Sequence, residues 1–446
     1  MAIGGGMATD IEVEPVGATA VGNYFVANYP PFSAWTPGQV GAAHRVLDGA
    51  ARADTELGLY LHIPFCRKRC HFCYFKVYTD RSKDEISAYV DALVSEMTTY
   101  AGKPVLAGRA PAFLYFGGGT PSYLSARHLR QLGDALHALF DLTALREFTF
   151  EGEPGTLTPA KIDVLKEIGV TRLSIGVESF DDQVLELNGR AHDGQQIESA
   201  YTTASAAGFP QVNIDLIAGM VGETDQTWLA SLAKTIEFRP DSVTIYQMEV
   251  PHNTALRAQM GSDGTVAMVA DWPTKRRWTD HAFGALERAG YQVSSGYTMS
   301  RPGQRSGFVY RDSLWRGADL VGMGVSSFSH VSGVHFQNEH NFADYVTRTP
   351  AGELPISRAL ELSSRELLIR EFVLQLKLGR VSRQYFHEKF DVDVLAEFEV
   401  PLANLVDRGL ITITGDDVVL SRAALLRVDG LLPAFFLPQH RNVRYT

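Results

Sequence analysis

The chain has 446 residues, 45% of them hydrophobic and 21% charged, and a net charge of −10. That composition belongs to a soluble globular protein of two or three domains and excludes a chain that is mainly disordered, collagenous or coiled-coil. The acidic balance argues against a nucleic-acid-coating surface, and no apolar run reaches the ~18 residues of a membrane span.

The opening segment, MAIGGGMATDIEVE, lacks the charged-then-apolar layout of a signal peptide, and Met7 offers an alternative start after a six-residue extension. Residues 1–50 read as an irregular leader. Its aromatic stretch Asn23–Trp35 either packs across the fold or closes over a substrate.

Strand-like and helix-like segments then alternate. Leu57–Ile63 is a short apolar strand, and Asp84–Tyr100 carries Ile86, Tyr89, Val90, Leu93, Val94 and Met97 on one helical face. Phe113–Phe116 is the next strand, ended by Gly117, Gly118 and Gly119, with a helix at Ala126–Phe140. Strands at Phe148–Glu151, Arg172–Val177, Val212–Ile217 and Ser242–Val250 alternate with helices at Thr158–Ile168, Asp193–Ala207 and Glu223–Ile236. Six short strands of this kind imply right-handed parallel βα units buried on both faces. No Rossmann dinucleotide fingerprint follows the first strand. Polar residues (Glu151, Glu178, Asp215 and Gln247) end four of the strands, where a barrel assembles its chemistry. The expected fold is therefore α/β: a partial six-stranded (β/α)6 barrel over 51–255.

Residues 256–360 extend the barrel and cover the substrate, with a helix at Pro273–Ala289, a strand near Tyr291–Ser294 and a Gly/Ser-rich segment at Gly322–Gly333. From 361 to 446, two amphipathic helices, at 363–379 and 393–409, and the hairpin-like LITITGDDVVLS form a winged-helix-like α+β module. Without a basic recognition face, this module is expected to pack on the core rather than bind DNA.

Cys66, Cys70 and Cys73 are the only cysteines, all within HIPFCRKRCHFCYF. An odd trio makes a poor disulfide framework and points to a reducing compartment, the cytoplasm. Three thiolates in C-x3-C-x2-C can hold three irons of a [4Fe–4S] cube and leave the fourth open. Zinc is the alternative, with His62 or His71 as its fourth ligand.

The pattern resembles the radical S-adenosylmethionine superfamily. From about Leu57 to Phe436 the chain is similar to oxygen-independent coproporphyrinogen III oxidase and its relatives. These include heme chaperones, heme-degrading enzymes and class C radical methyltransferases and cyclopropanases. The motifs are LYLHIPFCRKRCHFC, YFGGGTPSYLS, FEGEPGT, RLSIGVESFDDQVLELNGRAH and VNIDLIAGMVGET. The resemblance implies an open iron that chelates S-adenosyl-L-methionine, whose reductive cleavage gives a 5′-deoxyadenosyl radical. It also implies a one-electron donor such as a flavodoxin or ferredoxin.

Residue by residue, the resemblance implies cofactor contacts for Tyr60, near the methionine moiety, and Phe72, on the adenine side. Gly117, Gly118, Gly119 and Thr120 are the glycine motif, whose bare backbone reaches the amino-acid end. Glu151 would meet the ammonium group, Arg190 a carboxylate and Asp215 the ribose. Glu178 stands where the oxidase has Gln. Ser326, Ser327 and Phe328 would lie near a second cofactor or the substrate. Met248 and Met323 read as core, His62 as a strand-end packing residue and His387 as ordinary surface or core.

Departures from the family pattern bear on the reaction. Phe75 replaces the last cysteine of the oxidase loop. Tyr310–Trp315 aligns with the chaperones' His-Asn-x-x-Tyr-Trp motif but has no His. The cysteine count leaves none for class A methyl transfer or an auxiliary cluster. The expected function is class C-type methyl or methylene transfer to an sp2 carbon, giving C-methylation or cyclopropanation and using a second S-adenosylmethionine. The alternatives are coproporphyrinogen oxidation or another tetrapyrrole reaction, and heme carriage. The substrate is expected to be a small unsaturated or tetrapyrrole-like molecule under the leader and the loop Tyr297–Trp315.

Overall fold

A computed structural model describes residues 19–443 apart from residues 21, 23, 260, 263, 265, 267, 304–306 and 442. Met7, most of the leader's first half, Asn23 and part of the Tyr297–Trp315 loop therefore lie outside the described residues.

Six strands form the heart of the fold: β1 (Leu57–Ile63), β2 (Phe113–Gly118), β3 (Glu147–Gly152), β4 (Arg172–Glu178), β5 (Gln211–Ala218) and β6 (Ser242–Gln247). They are parallel and lie in sequence order, as right-handed βα units require. Their inner positions alternate: Tyr60 and His62 on β1, Ser174, Gly176 and Glu178 on β4, and Thr244 and Tyr246 on β6 all face one cavity. The intervening positions, such as Leu173, Ile175 and Val177, are buried against the surrounding helices. Capping boxes set the starts of the helices Lys83–Ala101, Gly194–Ala207 and Asp225–Phe238, through Ser82, Asp193 and Thr224.

The sheet continues past both barrel edges. β8 (Thr298–Ser300) adds antiparallel to β6, and β7 (Gln292–Val293) pairs antiparallel with β8 at the edge. β9 (Asp319–Met323) runs parallel to β1, and β10 (Phe328–Val331), β11 (Val334–Asn338) and β12 (Ile356–Glu361) follow antiparallel. The Gly/Ser-rich segment thus supplies the end of β9 and all of β10 in a sheet of twelve described strands.

The C-terminal module has its own apolar core. Its three-stranded sheet comprises β13 (Arg380–Ser382), β14 (Ile411–Thr414) and β15 (Asp417–Leu420), in the order β13-β15-β14. Two expectations are corrected here. The helix Ser364–Leu376 is not amphipathic: Leu368 to Leu376 are all buried, with Arg370, Glu371 and Gln375 among them. The next predicted helix is two, Val394–Glu397 and Glu399–Asp407, broken at Phe398.

The leader also differs from expectation, because Val40–Leu47 is a helix. Val26 and Tyr29 are buried in the core of the C-terminal module, and Thr36 bridges to Ala359 of β12. The buried Lys377 donates to the Val26 carbonyl at 2.6 Å and pairs with Asp429 at 2.9 Å. Asp429 in turn accepts from Val26 N at 2.9 Å. The leader is thereby fixed between barrel and module, and all three enclose the cavity. No described helix is long and apolar enough to cross a membrane.

Candidate active site

The cavity holds about 930 Å³. It opens where the loop after β1 carries Cys66, Cys70 and Cys73, all with free thiols that line its wall. Among the described residues, no three His, Cys, Asp or Glu side chains close on one metal ion. His71 is turned away, with Nδ1 3.0 Å from the Leu187 carbonyl. His62 Nδ1 lies 3.1 Å from the Tyr60 hydroxyl, and burial pushes its pKa down to about 4.

The thiols are embraced from three sides. Thr120 donates to Cys66 Sγ at 3.4 Å. Arg190 donates to Cys70 Sγ at 3.2 Å and to the Gly176 carbonyl at 2.8 Å. A Cβ at Gly119 would stand 3.0 Å from Cys66 Sγ, so only glycine leaves that side open. Burial pushes the Cys66 thiol up to about 12 and the Cys73 thiol up to about 11. Binding iron would displace those protons. Three unpaired thiols beside a bare glycine wall fit a multi-iron cluster that needs just three protein ligands.

The acids expected at the strand ends converge. Glu151, ending β3, accepts from the Tyr115 hydroxyl at 2.5 Å and from Gly118 N at 3.2 Å. Gly118 has φ of 113° and lies against His62, where a Cβ would come within 2.6 Å of the ring. Burial raises Glu151 to about 7. Glu178, ending β4 with φ of 65°, is also raised to about 7 by burial, and stands 3.6 Å from Arg190. Asp215 on β5 accepts from Ser174 at 2.8 Å and from Asn213 at 2.9 Å, and burial raises it too. Gln247, ending β6, also lines the cavity and donates to the Leu426 carbonyl at 2.8 Å.

Tyr60, Phe72, Gly118, Gly119, Thr120 and Phe328 all line the cavity, as do Ser326 and Ser327, whose buried hydroxyls have no partner among the described residues. Gly117 is not on the lining; a Cβ there would press on Tyr115 at 2.7 Å and on Glu151 at 3.1 Å. Phe328 stacks on Phe32 of the leader, with centroids 4.2 Å apart.

Sequence reading missed several wall residues. Glu249, raised to about 8 by burial, accepts from Tyr24 N at 3.2 Å. Leu425–Leu431 of the C-terminal module form the far wall. An aromatic run crosses the interior: Tyr60 to Tyr115 at 5.8 Å, Tyr115 to Tyr310 at 4.3 Å, and Tyr310 to Phe308 at 5.8 Å. The resemblance already names Tyr60, and Phe308 and Tyr310 lie in the loop expected to cover the substrate; the period-two pattern of β2 could have placed Tyr115, and no local signal marks Glu249 or the far wall.

A family model described as Radical SAM superfamily matches residues 60–234. Oxygen-independent coproporphyrinogen III oxidase of Escherichia coli (strain K12) is 28% identical over 400 residues, covering 86% of each chain. Heme chaperone HemW of Bacillus subtilis (strain 168) is 27% identical over 384 residues, covering 84% of this chain and 98% of that one. HemW of Escherichia coli (strain K12) is 30% identical over 301 residues, 66% of this chain and 75% of that one. The structure of Escherichia coli coproporphyrinogen III oxidase (HemN) superposes with a TM-score of 0.78 at 25% identity, covering 92% of this chain and 96% of that one. The chain belongs to the radical SAM superfamily, within its coproporphyrinogen III oxidase-like group of HemN and HemW relatives.

Proposed function

We propose that this protein is a radical SAM enzyme acting on a conjugated small molecule of the tetrapyrrole class, with oxidation of the HemN type as the leading reaction. The observation that carries this reading is the single cavity in which the cysteine loop, the strand-end acids and the aromatic run face one another. The relatedness to HemN over most of both chains supports it and favours it over the methyl transfer expected from sequence.

In this reading Cys66, Cys70 and Cys73 hold a [4Fe–4S] cluster. When bound, the cluster supplies the electron that cleaves S-adenosylmethionine to a 5′-deoxyadenosyl radical. The protein's share is placement and exclusion of water. Glu151 takes the ammonium group, held in place by Tyr115 and Gly118. Arg190 takes the carboxylate, and Asp215, fixed by Ser174 and Asn213, takes the ribose hydroxyls. Glu178, Phe72, Thr120 and Phe328 complete the contacts. The leader and the module's Leu425–Leu431 close the space around the radical.

A second reading, class C-type methyl or methylene transfer with two S-adenosylmethionines in one site, is favoured by the loop itself. Phe75, standing where the oxidase pattern has a cysteine, is 41% exposed and packs on Tyr74. Heme carriage is weakened because the chaperone-aligned helix Val309–Trp315 presents Tyr310, not a histidine, to the cavity.

The test is turnover of coproporphyrinogen III by anaerobically reconstituted protein with S-adenosylmethionine and a strong reductant. Deoxyadenosine accompanied by decarboxylated porphyrinogen supports the leading reading. Deoxyadenosine with S-adenosylhomocysteine and no decarboxylation transfers support to the second.

A further inference from the structure

The inner end of β4 carries a guanidinium that the protein itself does not satisfy. Arg172 is 2% exposed, yet it lines the cavity in register with Ser174, Gly176 and Glu178. Among the described residues, no acceptor takes a hydrogen bond from its side chain and no carboxylate pairs with it; its buried Nε has no partner. Glu151 and Asp215 lie near enough to sense its charge, but neither comes within ion-pair distance of the guanidinium. A buried charge is stable when paired, so an unpaired one aimed into a cavity points to an anionic ligand.

Its surroundings indicate the kind of anion. The guanidinium lies 4.1 Å from the centroid of Phe308, the last ring of the run from Tyr60 through Tyr115 and Tyr310. A flat conjugated molecule lying along those rings would bring an acidic substituent to Arg172. Of the nearby arginines, Arg190 is assigned above to the cofactor's carboxylate, and Arg311 is bonded to Asp312 and Ser294. A planar guanidinium fork matches a carboxylate with two parallel hydrogen bonds.

We propose that Arg172 is the anchor for a substrate carboxylate at the inner end of the cavity. The assignment rests on the tetrapyrrole-class reading above and specifies which group of such a substrate is recognised, and where.

The test uses coproporphyrin III, a stable tetracarboxylate, and its uncharged tetramethyl ester. Both are titrated into the anaerobically reconstituted full chain and followed by porphyrin fluorescence. A hydrogen-bonded charge pair predicts that the wild type holds the acid roughly 10-fold or more tightly than the ester. R172M should lose that preference and R172K should recover part of it, with melting curves confirming that each variant is folded. An equal acid preference in wild type and R172M would overturn the anchor and leave the tetrapyrrole reading standing. So would a wild type that binds acid and ester alike. If R172M does not fold, an R172K that matches the wild type's acid affinity overturns it, because lysine lacks the fork. Binding of neither porphyrin overturns the tetrapyrrole reading and the anchor with it.

Discussion

Arg190 donates to the Cys70 sulfur at 3.2 Å, tying a residue from the loop after β4 to the cysteine loop after β1. The same guanidinium stands 3.6 Å from Glu178 and bonds the Gly176 carbonyl. A residue expected to meet the cofactor's carboxylate is thus pre-set by the cysteine loop and by the end of β4. R190M should keep its iron, because the cysteines remain, and should bind S-adenosylmethionine roughly 10-fold or more weakly. Iron content and equilibrium dialysis of S-adenosylmethionine measure the two effects separately.

Glu151 gives a pH dependence with a definite sign. Burial holds its carboxyl near 7 in the cofactor-free protein. An ammonium group pairs with the ionised form, so binding should release a proton. Affinity for S-adenosylmethionine should therefore rise as pH increases through about 7. E151Q should bind roughly 10-fold or more weakly and lose this rise. A wild-type affinity that is flat across neutral pH would remove Glu151 from the ammonium site.

Lys377 holds the leader to the C-terminal module through Val26 and Asp429. Its side chain is fully buried, so K377M leaves Asp429 without its cation and the Val26 carbonyl without its donor. Breaking such a pair costs about 3–5 kcal/mol. The melting temperature should fall, and limited proteolysis should cut the leader first. An unchanged melting curve would show that Lys377 is not what holds the leader.

Glu96 sets a second pH effect, on stability. It accepts from Gly324 N at 2.8 Å, Asn338 Nδ2 at 2.6 Å and the Tyr345 hydroxyl at 2.6 Å, and burial still raises it to about 7. An unfolded glutamate titrates near ~4.3. The folded state therefore holds the proton more tightly. The stabilisation is complete below the unfolded value and is lost as pH rises through about 7. The wild type should melt at progressively lower temperature between about pH 5 and about pH 8, and E96Q should make that slope shallower by Glu96's share.

The barrel was legible because its strands obey one simple rule. β1 to β5 are short apolar runs, with each observed end within about two residues of the predicted one. The polar residues Glu151, Glu178 and Asp215 stand out at their C-terminal ends. β6 was overextended to Val250 because Met248 and Val250 are apolar, although they belong to a separate small core. β10 was hidden by its Ser and His, whose burial comes from pairing with β9 and β11. The far cavity wall was not legible at all. Val26 meets Asp429 across 403 positions of sequence, and no local pattern encodes such a contact. Arg172 was passed over for a related reason: it opens a strand that reads as apolar, and its lack of a partner is visible only in three dimensions.

The account rests on reductive cleavage of S-adenosylmethionine by the cysteine loop. The decisive measurement is 5′-deoxyadenosine, quantified by mass spectrometry after anaerobic incubation of the reconstituted full chain with S-adenosylmethionine and a strong reductant. The wild type should form it, and C70A should not. A wild type that carries an intact iron–sulfur cluster and yields no deoxyadenosine would contradict the account.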